Sequence, residues 1–370
     1  MKKVLVFGIT ENPGGVESVI MNYYRNIDRN EIQFDFLCNT EVVAYEEEIK
    51  SLGGVIYRVT ARSKDRKKFK SDMNNFFLQH AEEYQAIWVN VCSLANIDYL
   101  KYAKKYGIKK RIIHAHNSKN MDNFFRGLLH KWNRMFITKY ATDFWSCSDE
   151  ASRWFDNKKI INSNKYLLVN NAIDCDKYKF NQKVRDKYRK ELGIDDKTLV
   201  IGNVGRMHFQ KNHPFIIKVF KEVHKAVPNS VLLLVGDGPD RVQIEDIVQK
   251  DCLRGCIKFL GTRNDTNNLL QAMDIFLFPS IFEGLPLALV EAQASNLMIY
   301  ASNVISNKII VDEKLIKFIS LDKDEIFWAN QILRCKFIDR NTNDIEELLK
   351  EKGFDIRVEA NKIEKKLKGE

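Results

Sequence analysis

Short apolar runs, rich in β-branched residues, alternate with longer amphipathic stretches along nearly the whole chain. In many of these runs successive residues are apolar, as in Val4–Ile9, and polar residues do not alternate with them. Strands that helices cover on both faces have this pattern. Repeated alternation of such strands with helical segments predicts parallel sheets of the doubly wound type.

The apolar runs form two series of predicted strands. The first series is Val4–Thr10, Ile32–Cys38, Val55–Thr60, Ala86–Cys92, Arg111–His116, Asp143–Cys147 and Tyr166–Val169. The second series is Thr198–Val204, Val231–Gly236, Ile257–Gly261, Asp274–Phe278, Leu297–Ser302 and Ile316–Ser320. Ligands of such sheets bind at the carboxyl ends of strands, so the loops after these strands are where we expect the chemistry.

The alternation is interrupted between Asn170 and Asp196, where the segment Asp176–Lys190 is strongly charged. A length of 370 residues also suits two domains better than one. We therefore predict an α/β protein of two Rossmann-like domains that face each other across a cleft. The predicted domains are an N-terminal one at 1–170 and a C-terminal one at 171–350. Residues 351–370 are predicted to be a basic helical tail, which packs either on its own domain or back on the first.

Basic residues exceed acidic ones, 59 to 49, which gives a formal net charge of +10 at pH 7. Such an excess fits nucleic acid, an anionic membrane surface or anionic substrates, and does not choose among them. No stretch approaches the roughly 20 apolar residues of a membrane helix, and the run after Met1 is too short for a signal peptide. The seven cysteines are scattered without a zinc-site spacing, so we expect a cytoplasmic protein without a metal site.

Two glycines, Gly14 and Gly15, follow the first strand and precede the helical pattern Val16–Asn26. Paired glycines let the backbone approach a phosphate at a helix N-terminus. The G-x-G-x-x-G spacing of dinucleotide sites is absent, and a tight structural turn would have the same sequence. Gly15 is therefore a candidate phosphate contact, with a turn as the alternative.

His114 and His116 end a predicted strand and, two residues apart, lie on one face of the sheet. No carboxylate or cysteine accompanies them nearby in the sequence, which disfavours a metal pair. We expect His116 to be a residue of the cleft and His114 to pack beneath it.

Two cations, Arg206 and Lys211, lie in the loop after the strand Thr198–Val204, ahead of a helix with Pro214 in its first turn. Two positive charges near a helix N-terminus suit a diphosphate, whose charge must be neutralised as it leaves. A solvated basic loop is the alternative.

Two carboxylates, Glu283 and Glu291, stand on either side of a predicted helix N-terminus, with Gly284 and Leu285 between them. Carboxylates accept hydrogen bonds from vicinal hydroxyls, so the pair suits a sugar and a ribose that flank a phosphate held on backbone amides. Surface glutamates are the alternative, although a helix as apolar as Leu285–Ala294 rarely contains one without a reason.

Taken in this order, the motifs resemble the large fourth family of retaining glycosyltransferases, of the bacterial capsule and exopolysaccharide type, which have the two-domain GT-B fold. The motifs that carry the resemblance are Gly14-Gly15-Val16-Glu17, His116, Asn171-Ala172-Ile173-Asp174, Gly205-Arg206 with Lys211, Val235-Gly236-Asp237-Gly238-Pro239, and Glu283-x7-Glu291. They span nearly the whole chain, and the last of them is the most specific.

The resemblance implies that Arg206 and Lys211 bind the diphosphate of a nucleotide-sugar donor, helped by Gly15 and the amides around Gly284 and Leu285. It also implies same-face attack with retention of anomeric configuration, and neither a metal nor a cofactor. The donor is expected to be a UDP-sugar, which is a substrate.

The resemblance further implies that Glu283 contacts the hydroxyls of the transferred sugar and Glu291 the ribose. The loop that contains Arg263, a donor-binding residue, would border the base. His116 would face the sugar and the acceptor, so His116 and Glu283 are the expected catalytic residues. One departure is Asn296, where relatives usually have a glycine, which predicts a left-handed backbone at that residue.

The motif Asp174-Cys175-Asp176 resembles a metal-binding D-x-D but lies in the predicted linker, so we interpret it as structural. The segments Arg62–Lys70 and Lys101–Arg111 are strongly basic and motivate the hypothesis that the first domain rests on the anionic inner face of the cell membrane. Solvated helix ends are the alternative. Neither segment interleaves aromatic residues as a nucleic-acid surface does, so no nucleic-acid partner is expected.

The function expected from these observations is hexosyl transfer from a UDP-sugar to a growing surface or capsular glycan, with a lipid-linked glycan as one form of acceptor. The alternatives are a nucleotide-sugar epimerase of the same fold and a non-catalytic protein that binds glycans or nucleotides.

Overall fold

The computed structural model describes residues 1–117, 124–283, 285–341 and 344–369. The chain divides into two compact units, one of Met1–Ala172 with Ile356–Glu370 and one of Ile173–Asp355. The polypeptide therefore passes from the first unit to the second and returns near its C-terminus. The corresponding boundaries placed from the sequence were residues 170 and 350.

The strands of the two units account for every predicted apolar run. They are β1 (Lys2–Phe7), β2 (Ile32–Cys38), β3 (Ile56–Arg58), β4 (Tyr84–Val91), β5 (Lys110–Ala115), β6 (Asp143–Ser146), β7 (Tyr166–Leu168), β8 (Leu199–Val204), β9 (Ser230–Val235), β10 (Ile257–Gly261), β11 (Ile275–Phe278), β12 (Met298–Ser302) and β13 (Ile316–Ile319).

Helices occupy most of the amphipathic stretches between the strands. They are α1 (Gly15–Asn26), α2 (Glu46–Ser51), α3 (Arg66–His80), α4 (Asp98–Lys105), α5 (Phe124–Phe136), α6 (Asp149–Phe155), α7 (Lys158–Ile161), α8 (Cys175–Tyr178), α9 (Gln182–Glu191), α10 (His213–Ala226), α11 (Arg241–Lys250), α12 (Thr266–Ala272), α13 (Leu287–Ala294), α14 (Glu325–Leu333), α15 (Asp344–Glu351) and α16 (Ile356–Lys368).

The first unit contains a sheet in the order β3-β2-β1-β4-β5-β6-β7, and its neighbouring strands pair in parallel. The sequence order reverses between β1 and β4, which is the topological switch point where doubly wound sheets bind ligands. In the register of β4 and β5, Asn90 stands opposite His114. The switch point therefore lies close to the two predicted histidines.

The second unit contains a parallel sheet in the order β10-β9-β8-β11-β12-β13. Here the order reverses between β8 and β11, so the loops that follow these two strands border the switch point. Those loops contain Arg206, Lys211 and Glu283. Two parallel, doubly wound sheets were predicted, and this fold class is confirmed.

Each sheet is covered by apolar side chains on both faces. In the first unit one cluster contains Tyr23 and Trp88, and a second on the other face contains Phe77 and Leu100. The second unit has a comparable pair of clusters. Burial on both faces explains why the strands are apolar at successive positions.

The C-terminal helix α16 packs on the first unit, against α1. Its buried apolar residues are Ile356, Ala360, Ile363 and Leu367, which share one helical face. Burying an isoleucine or leucine side chain contributes about 1.5–3 kcal/mol, so this face is enough to hold the tail in place. The Glu364 carboxylate also accepts a hydrogen bond of 2.6 Å from the Asp28 amide.

Two local features bear on the sequence predictions. Asn296 has a φ of 50°, so the left-handed backbone expected there is confirmed. Its side-chain amide donates to the Arg340 carbonyl at 3.0 Å, which ties the end of α13 to the following segment. Within the described residues, no helix combines the length and apolar character that crossing a bilayer would require.

Candidate functional site

The loops after β8 and β11 bring Lys211 and Glu283 into an ion pair. The Lys211 Nζ lies 2.7 Å from the Glu283 Oε1, and the two side chains are 16% and 8% exposed. The Gln210 side-chain amide donates to the other carboxylate oxygen at 3.2 Å. The loop after β8 turns sharply at Asn212, whose φ is 57°. The side-chain amide of Asn212 donates to the Pro279 carbonyl, in the loop after β11, at 3.3 Å. The switch point of the second sheet therefore holds a fixed ammonium beside a fixed carboxylate.

The aliphatic part of the Lys211 side chain lies along Gly205, and its ammonium lies near an aromatic ring. Its Nζ is 4.5 Å from the centroid of the Phe278 ring, a distance that allows a cation–π attraction. A Cβ added at residue 205 would stand 3.1 Å from the Lys211 Cε. Gly205 therefore leaves room for the lysine that the sequence placed in this loop.

The loops after β8 and β9 are packed backbone against backbone. The Gly205 amide donates to the Val235 carbonyl at 2.9 Å, and the Met207 amide donates to the Asp237 carbonyl at 3.0 Å. Gly236 has a φ of +132°, and a Cβ there would lie 2.1 Å from the Gly205 oxygen. The motif around Gly236 is thus explained by this close approach, which fixes the path of the loop that leads to Arg206.

Arg206 is exposed and has no ion-pair partner among the residues that the structure describes. Leu285 is partly buried and packs on the core of the second unit. Gly284, which was predicted to contribute an amide, lies outside the described residues. The structure thus places Arg206 and Leu285 on the two loops that bring Lys211 and Glu283 together.

Glu291 lies on α13, where its Oε1 accepts a hydrogen bond of 2.9 Å from the Tyr178 hydroxyl. Burial raises the pKa of this carboxyl, and the bond from Tyr178 opposes the rise. Tyr178 ends α8, where its carbonyl accepts bonds from Ser295 Oγ at 2.9 Å and from Gln271 Nε2 at 3.2 Å. The sequence analysis did not identify Tyr178, because nothing in a short charged segment marks a tyrosine as the partner of a carboxylate so distant in sequence.

Arg263 is engaged by a neighbouring carboxylate. Its Nε and Nη2 donate to the two oxygens of Asp265 at 2.8 Å and 2.7 Å. This bidentate pair lowers the pKa of Asp265 to about 2, with a further bond from the Tyr188 hydroxyl in the same direction. Arg263 therefore does not join the Lys211–Glu283 pair, and contact of its guanidinium with a base stays a prediction.

In the first unit, Asn90 joins the two predicted histidines. Its Oδ1 lies 3.0 Å from the His114 Nδ1 and 2.9 Å from the His116 Nε2. The Asn90 Nδ2 donates to the Phe7 carbonyl, which orients the amide with its oxygen toward the imidazoles. His114 is fully buried and His116 is partly exposed, as expected from their positions on the strand. Asn90 was missed as a site residue, because an asparagine in an apolar strand has no distinctive spacing.

This network fixes the protonation of His116. Because the Asn90 oxygen can only accept, the imidazole Nε2 carries the hydrogen and Nδ1 keeps its lone pair. Burial lowers the pKa of His116 to about 3, so the ring is neutral at physiological pH. A neutral His116 can accept a hydrogen bond from a substrate hydroxyl at Nδ1.

Gly15 is the first residue of α1 and is exposed. A Cβ added there would meet no atom within 4 Å, so packing within the chain does not require a glycine at this residue. The preceding loop is tied down by Glu17, whose Oε1 accepts bonds from the Thr10 amide at 3.2 Å and the Thr10 hydroxyl at 2.5 Å. The structure leaves open the approach of a ligand to the Gly15 backbone.

The D-x-D sequence takes part in ordinary local structure. Asp174 is the residue before α8 and lies 3.5 Å from the Lys177 ammonium, and Cys175 is buried. In the portion of the chain that the structure describes, no group of three His, Cys, Asp or Glu side chains is placed to hold a metal ion.

Comparison with known proteins adds independent findings. Residues 184–335, which include β8 and α13, match the family described as Glycosyl transferases group 1. EpsF, a protein of Bacillus subtilis (strain 168) assigned as a glycosyltransferase, is 31% identical over 361 residues, with 96% of this chain and 94% of that protein covered.

A second relative by sequence covers less of the chain, and one solved structure is similar in fold. The UDP-Gal:alpha-D-GlcNAc-diphosphoundecaprenol alpha-1,3-galactosyltransferase of Escherichia coli is 30% identical over 210 residues, 56% of this chain and 54% of that protein. The crystal structure of Anabaena Alr3699/HepE in complex with UDP and glucose superposes with a TM-score of 0.77 at 16% identity, covering 100% of both chains. The latter shows that the fold is shared.

The long match to EpsF extends over both units, and the match to the family lies on the unit that holds the Lys211–Glu283 pair. On these grounds the chain belongs to the group 1 glycosyltransferases, with the two Rossmann-like domains of the GT-B fold.

Proposed function

We propose that this protein is a retaining, metal-independent hexosyltransferase that uses a UDP-sugar to extend a surface or capsular glycan, with a lipid-linked glycan as its acceptor. The observation that carries the proposal is the ion pair of Lys211 with Glu283 at the switch point of the second sheet. It places a cation suited to a diphosphate beside a carboxylate suited to sugar hydroxyls, on loops fixed by backbone packing.

The roles proposed for the donor follow from this arrangement. Arg206 and Lys211 neutralise the diphosphate as it leaves, and preorganised positive charge at a leaving group is a large contribution to catalysis. Glu283 accepts hydrogen bonds from hydroxyls of the transferred sugar. Glu291, held by Tyr178, accepts from the ribose hydroxyls. Because these cations supply the positive charge, the reaction is proposed to need no metal.

In the first unit, we assign to Gly15 a backbone approach to the diphosphate and to His116 a contact with the sugar or the acceptor hydroxyl. Retention would follow from attack on the face from which the UDP departs, with the leaving phosphate taking the acceptor proton. Because His116 is neutral, it is suited to accept a hydrogen bond from a hydroxyl and not to stabilise a negative charge as an imidazolium.

The identity of the donor and the acceptor is supported by the relatives. The Anabaena structure holds UDP and glucose, and the Escherichia coli relative acts from UDP-Gal on a diphosphoundecaprenol-linked sugar. A lipid-linked acceptor requires access to the membrane, and we propose that the protein is peripheral on its inner face.

The basic segments Arg62–Lys70 and Lys101–Arg111 differ in how well they support a location at the membrane. In the second segment, Arg111 donates to the carbonyls of Tyr140 and Ile108, and Lys104 donates to the Lys139 carbonyl, so these side chains stabilise the protein itself. The first segment continues into α3, where Lys67 and Lys68 are exposed. The segment Arg62–Lys70 is therefore the better candidate for contact with anionic lipid.

The proposal is tested with Lys211→Met and Glu283→Gln, which keep the size of each side chain. Each should lower kcat/KM with a UDP-hexose by about 10²–10³-fold, the range found when one charge-stabilising group is removed. Release of UDP should depend on the acceptor, and the anomeric configuration of the product, read by proton NMR, should match that of the donor. Chelation with EDTA should leave the rate unchanged.

Lys218→Ala, at an exposed residue of α10, is the matched control and should behave as wild type. Thermal midpoints within a few degrees of the wild type would show that the variants are folded. Near-normal turnover by Lys211→Met would contradict the assigned site. Interconversion of nucleotide sugars without an acceptor would instead favour the epimerase, and binding of UDP without turnover would favour a non-catalytic protein.

A further inference from the structure

A cationic pocket opens at the carboxyl edge of the first sheet. Its volume is about 550 Å³, within the range of small-molecule sites. Phe7 and Val91, at the ends of the two switch-point strands, lie at its wall. The Val91 carbonyl also accepts a bond of 3.1 Å from the His116 amide. The pocket is therefore next to the residue that we assign to the sugar and the acceptor.

The charged residues that line this pocket are all basic: Arg62, Lys64, Arg66 and Arg126. Carboxylates approach two of them from outside the lining, Asp98 at 2.8 Å from Arg62 and Glu41 at 3.4 Å from Lys64. Arg66 has no ion-pair partner among the described residues. A pocket with this lining complements an anion with more than one charge, such as a diphosphate.

Helix α5 has its large apolar side chains exposed and small or polar residues buried, which is the reverse of an ordinary surface helix. Its inner side is small and polar, with Gly127 and His130 buried. His130 accepts from the Leu94 amide at 3.0 Å, and the Asn133 side chain donates to the Leu94 carbonyl at 2.7 Å. These bonds fix the helix with its apolar side turned outward.

The apolar residues on that outer side form an open groove. They are Phe125, Leu128, Leu129, Trp132 and Met135. Phe125 is 74% exposed, Trp132 62% and Met135 70%. An exposed apolar face of this extent on one short helix marks a binding surface for a partner or a lipid.

The groove and the pocket are continuous. Leu129 lines both of them, and Arg126, which precedes it by less than one helical turn, lines the cationic pocket. Helix α5 thus contributes a cation to the cationic pocket and a row of apolar side chains to the groove. The chemistry that fits both ends is an amphiphile with a multiply charged head and a hydrocarbon tail.

We propose that the cationic pocket and the apolar face of α5 bind the acceptor as an isoprenoid diphosphate. The diphosphate lies against Arg62, Arg66 and Arg126, and the first isoprene units lie along Leu129 and Trp132. The sugar to be extended is then attached at the end nearest His116. This inference rests on the proposed transfer to a lipid-linked glycan and adds the residues that select the acceptor.

The test uses farnesyl diphosphate as the probe, and its binding to the full chain is measured by titration calorimetry. Arg66→Glu and Trp132→Ser should each weaken binding by about tenfold or more, because one removes a charge-assisted contact and the other a large apolar contact. Inorganic diphosphate should bind more weakly than the probe and should be insensitive to Trp132→Ser.

Lys183→Glu, at an exposed residue of α9, and Leu78→Ser, at an exposed residue of α3, are the matched controls, since neither residue lines the pocket or the groove. Thermal stabilisation by UDP, measured on every variant, shows that the protein is folded and that the donor site is intact. If UDP binds and is released in turnover while farnesyl diphosphate does not bind, the inference fails and the proposed function stands.

Three other outcomes would overturn the inference. Equal affinity for inorganic and farnesyl diphosphate would show that the apolar face takes no part. Loss of binding to anionic vesicles in Trp132→Ser, with farnesyl diphosphate binding unchanged, would assign the face to the bilayer. A dimer that Trp132→Ser dissociates, with no effect on the probe, would assign it to a second copy of the chain.

Discussion

The polar groups beside the switch points of the two sheets are of opposite kinds. At the edge of the second sheet, charges are held in defined contacts: Lys211 with Glu283, and Glu291 with Tyr178. At the edge of the first sheet, the central group is a neutral network in which Asn90 joins two uncharged imidazoles. The second unit holds charged side chains at its switch point, whereas the first unit holds neutral side chains there and has its cations in the adjoining pocket.

The way in which the two edges are held in place differs as well. In the second unit, the loops after β8 and β9 pack backbone against backbone at Gly205 and Gly236. The position of the charged side chains therefore depends on these two glycines. In the first unit, Gly15 meets nothing, and the close approach of a glycine is to Asn90: a Cβ at Gly8, whose φ is +139°, would lie 2.6 Å from the Asn90 Cβ. The side-chain hydrogen bonds of that same Asn90 hold the histidines. A change in backbone packing should therefore damage the edge of the second sheet, whereas a change at the single side chain of Asn90 should damage the edge of the first.

The largest effect is expected from Gly236→Ala. A Cβ there would lie 2.1 Å from the Gly205 oxygen on a backbone with φ of +132°, so the two loops must separate. Strain of this kind costs about 2–4 kcal/mol, and the affinity for UDP should fall with it. Urea unfolding and UDP titration measure the two effects.

Gly15→Ala in the first unit is the contrasting change. It should alter the free energy of unfolding by less than about 1 kcal/mol, since the added methyl meets no atom. A weaker affinity for UDP in this stable variant would support a backbone contact to the diphosphate. Equal destabilisation by the two substitutions would show that the two loops do not differ in how tightly their backbones are packed.

An intermediate effect is expected from Asn90→Asp, which places a carboxylate beside both imidazoles. In the wild type the pKa of His116 is about 3, whereas that of the unfolded chain is about 6.5. The unfolded state therefore binds more protons within this window, and the contribution of His116 to stability is lost as the pH falls from about 6.5 toward 3.

The carboxylate of Asn90→Asp should raise the pKa of His116 toward or above neutrality, because it favours the imidazolium. The protonated ring loses the lone pair on Nδ1. If the pKa reaches about 7, kcat/KM at pH 6 should be about tenfold below its value at pH 8, while the wild type changes little. Asn75→Asp, at an exposed residue of α3, is the control, and a flat profile in Asn90→Asp would refute the role of His116.

The smallest effect is expected from Tyr178→Phe, which removes one hydrogen bond to Glu291. Loss of a bond to the charged form raises the pKa of the Glu291 carboxyl further, so more of it is protonated as the pH falls. The KM for the UDP-sugar should rise by about three- to tenfold, more at pH 6 than at pH 8, with kcat nearly unchanged.

Tyr188→Phe is the matched control for that change, because its hydroxyl donates to another carboxylate, that of Asp265, at 2.8 Å. It should leave KM close to the wild-type value. A fall in kcat without a change in KM in Tyr178→Phe would contradict a ribose contact for Glu291 and would indicate a role in the chemical step.

The hydrophobic pattern was enough to predict the two sheets and the order of their strands along the chain, since strands buried on both faces produce unbroken apolar runs. It also placed Arg206, Lys211, Glu283 and Glu291 on loops or helix starts after strands, where ligands of such sheets bind. The left-handed backbone of Asn296 followed from an asparagine at the position of a helix-ending glycine.

Which of these residues come into contact depends on how the strands are arranged in space, and the sequence did not predict it. The Lys211–Glu283 pair depends on strand order, because β8 and β11 are neighbours in the sheet while two strands separate them in the chain. Asn90 and Tyr178 act through partners distant in sequence, so no local spacing reveals them. The sequence also did not predict that the apolar face of α5 is exposed. A hydrophobic pattern shows which residues share a helical face, but not whether that face points to the core or to solvent.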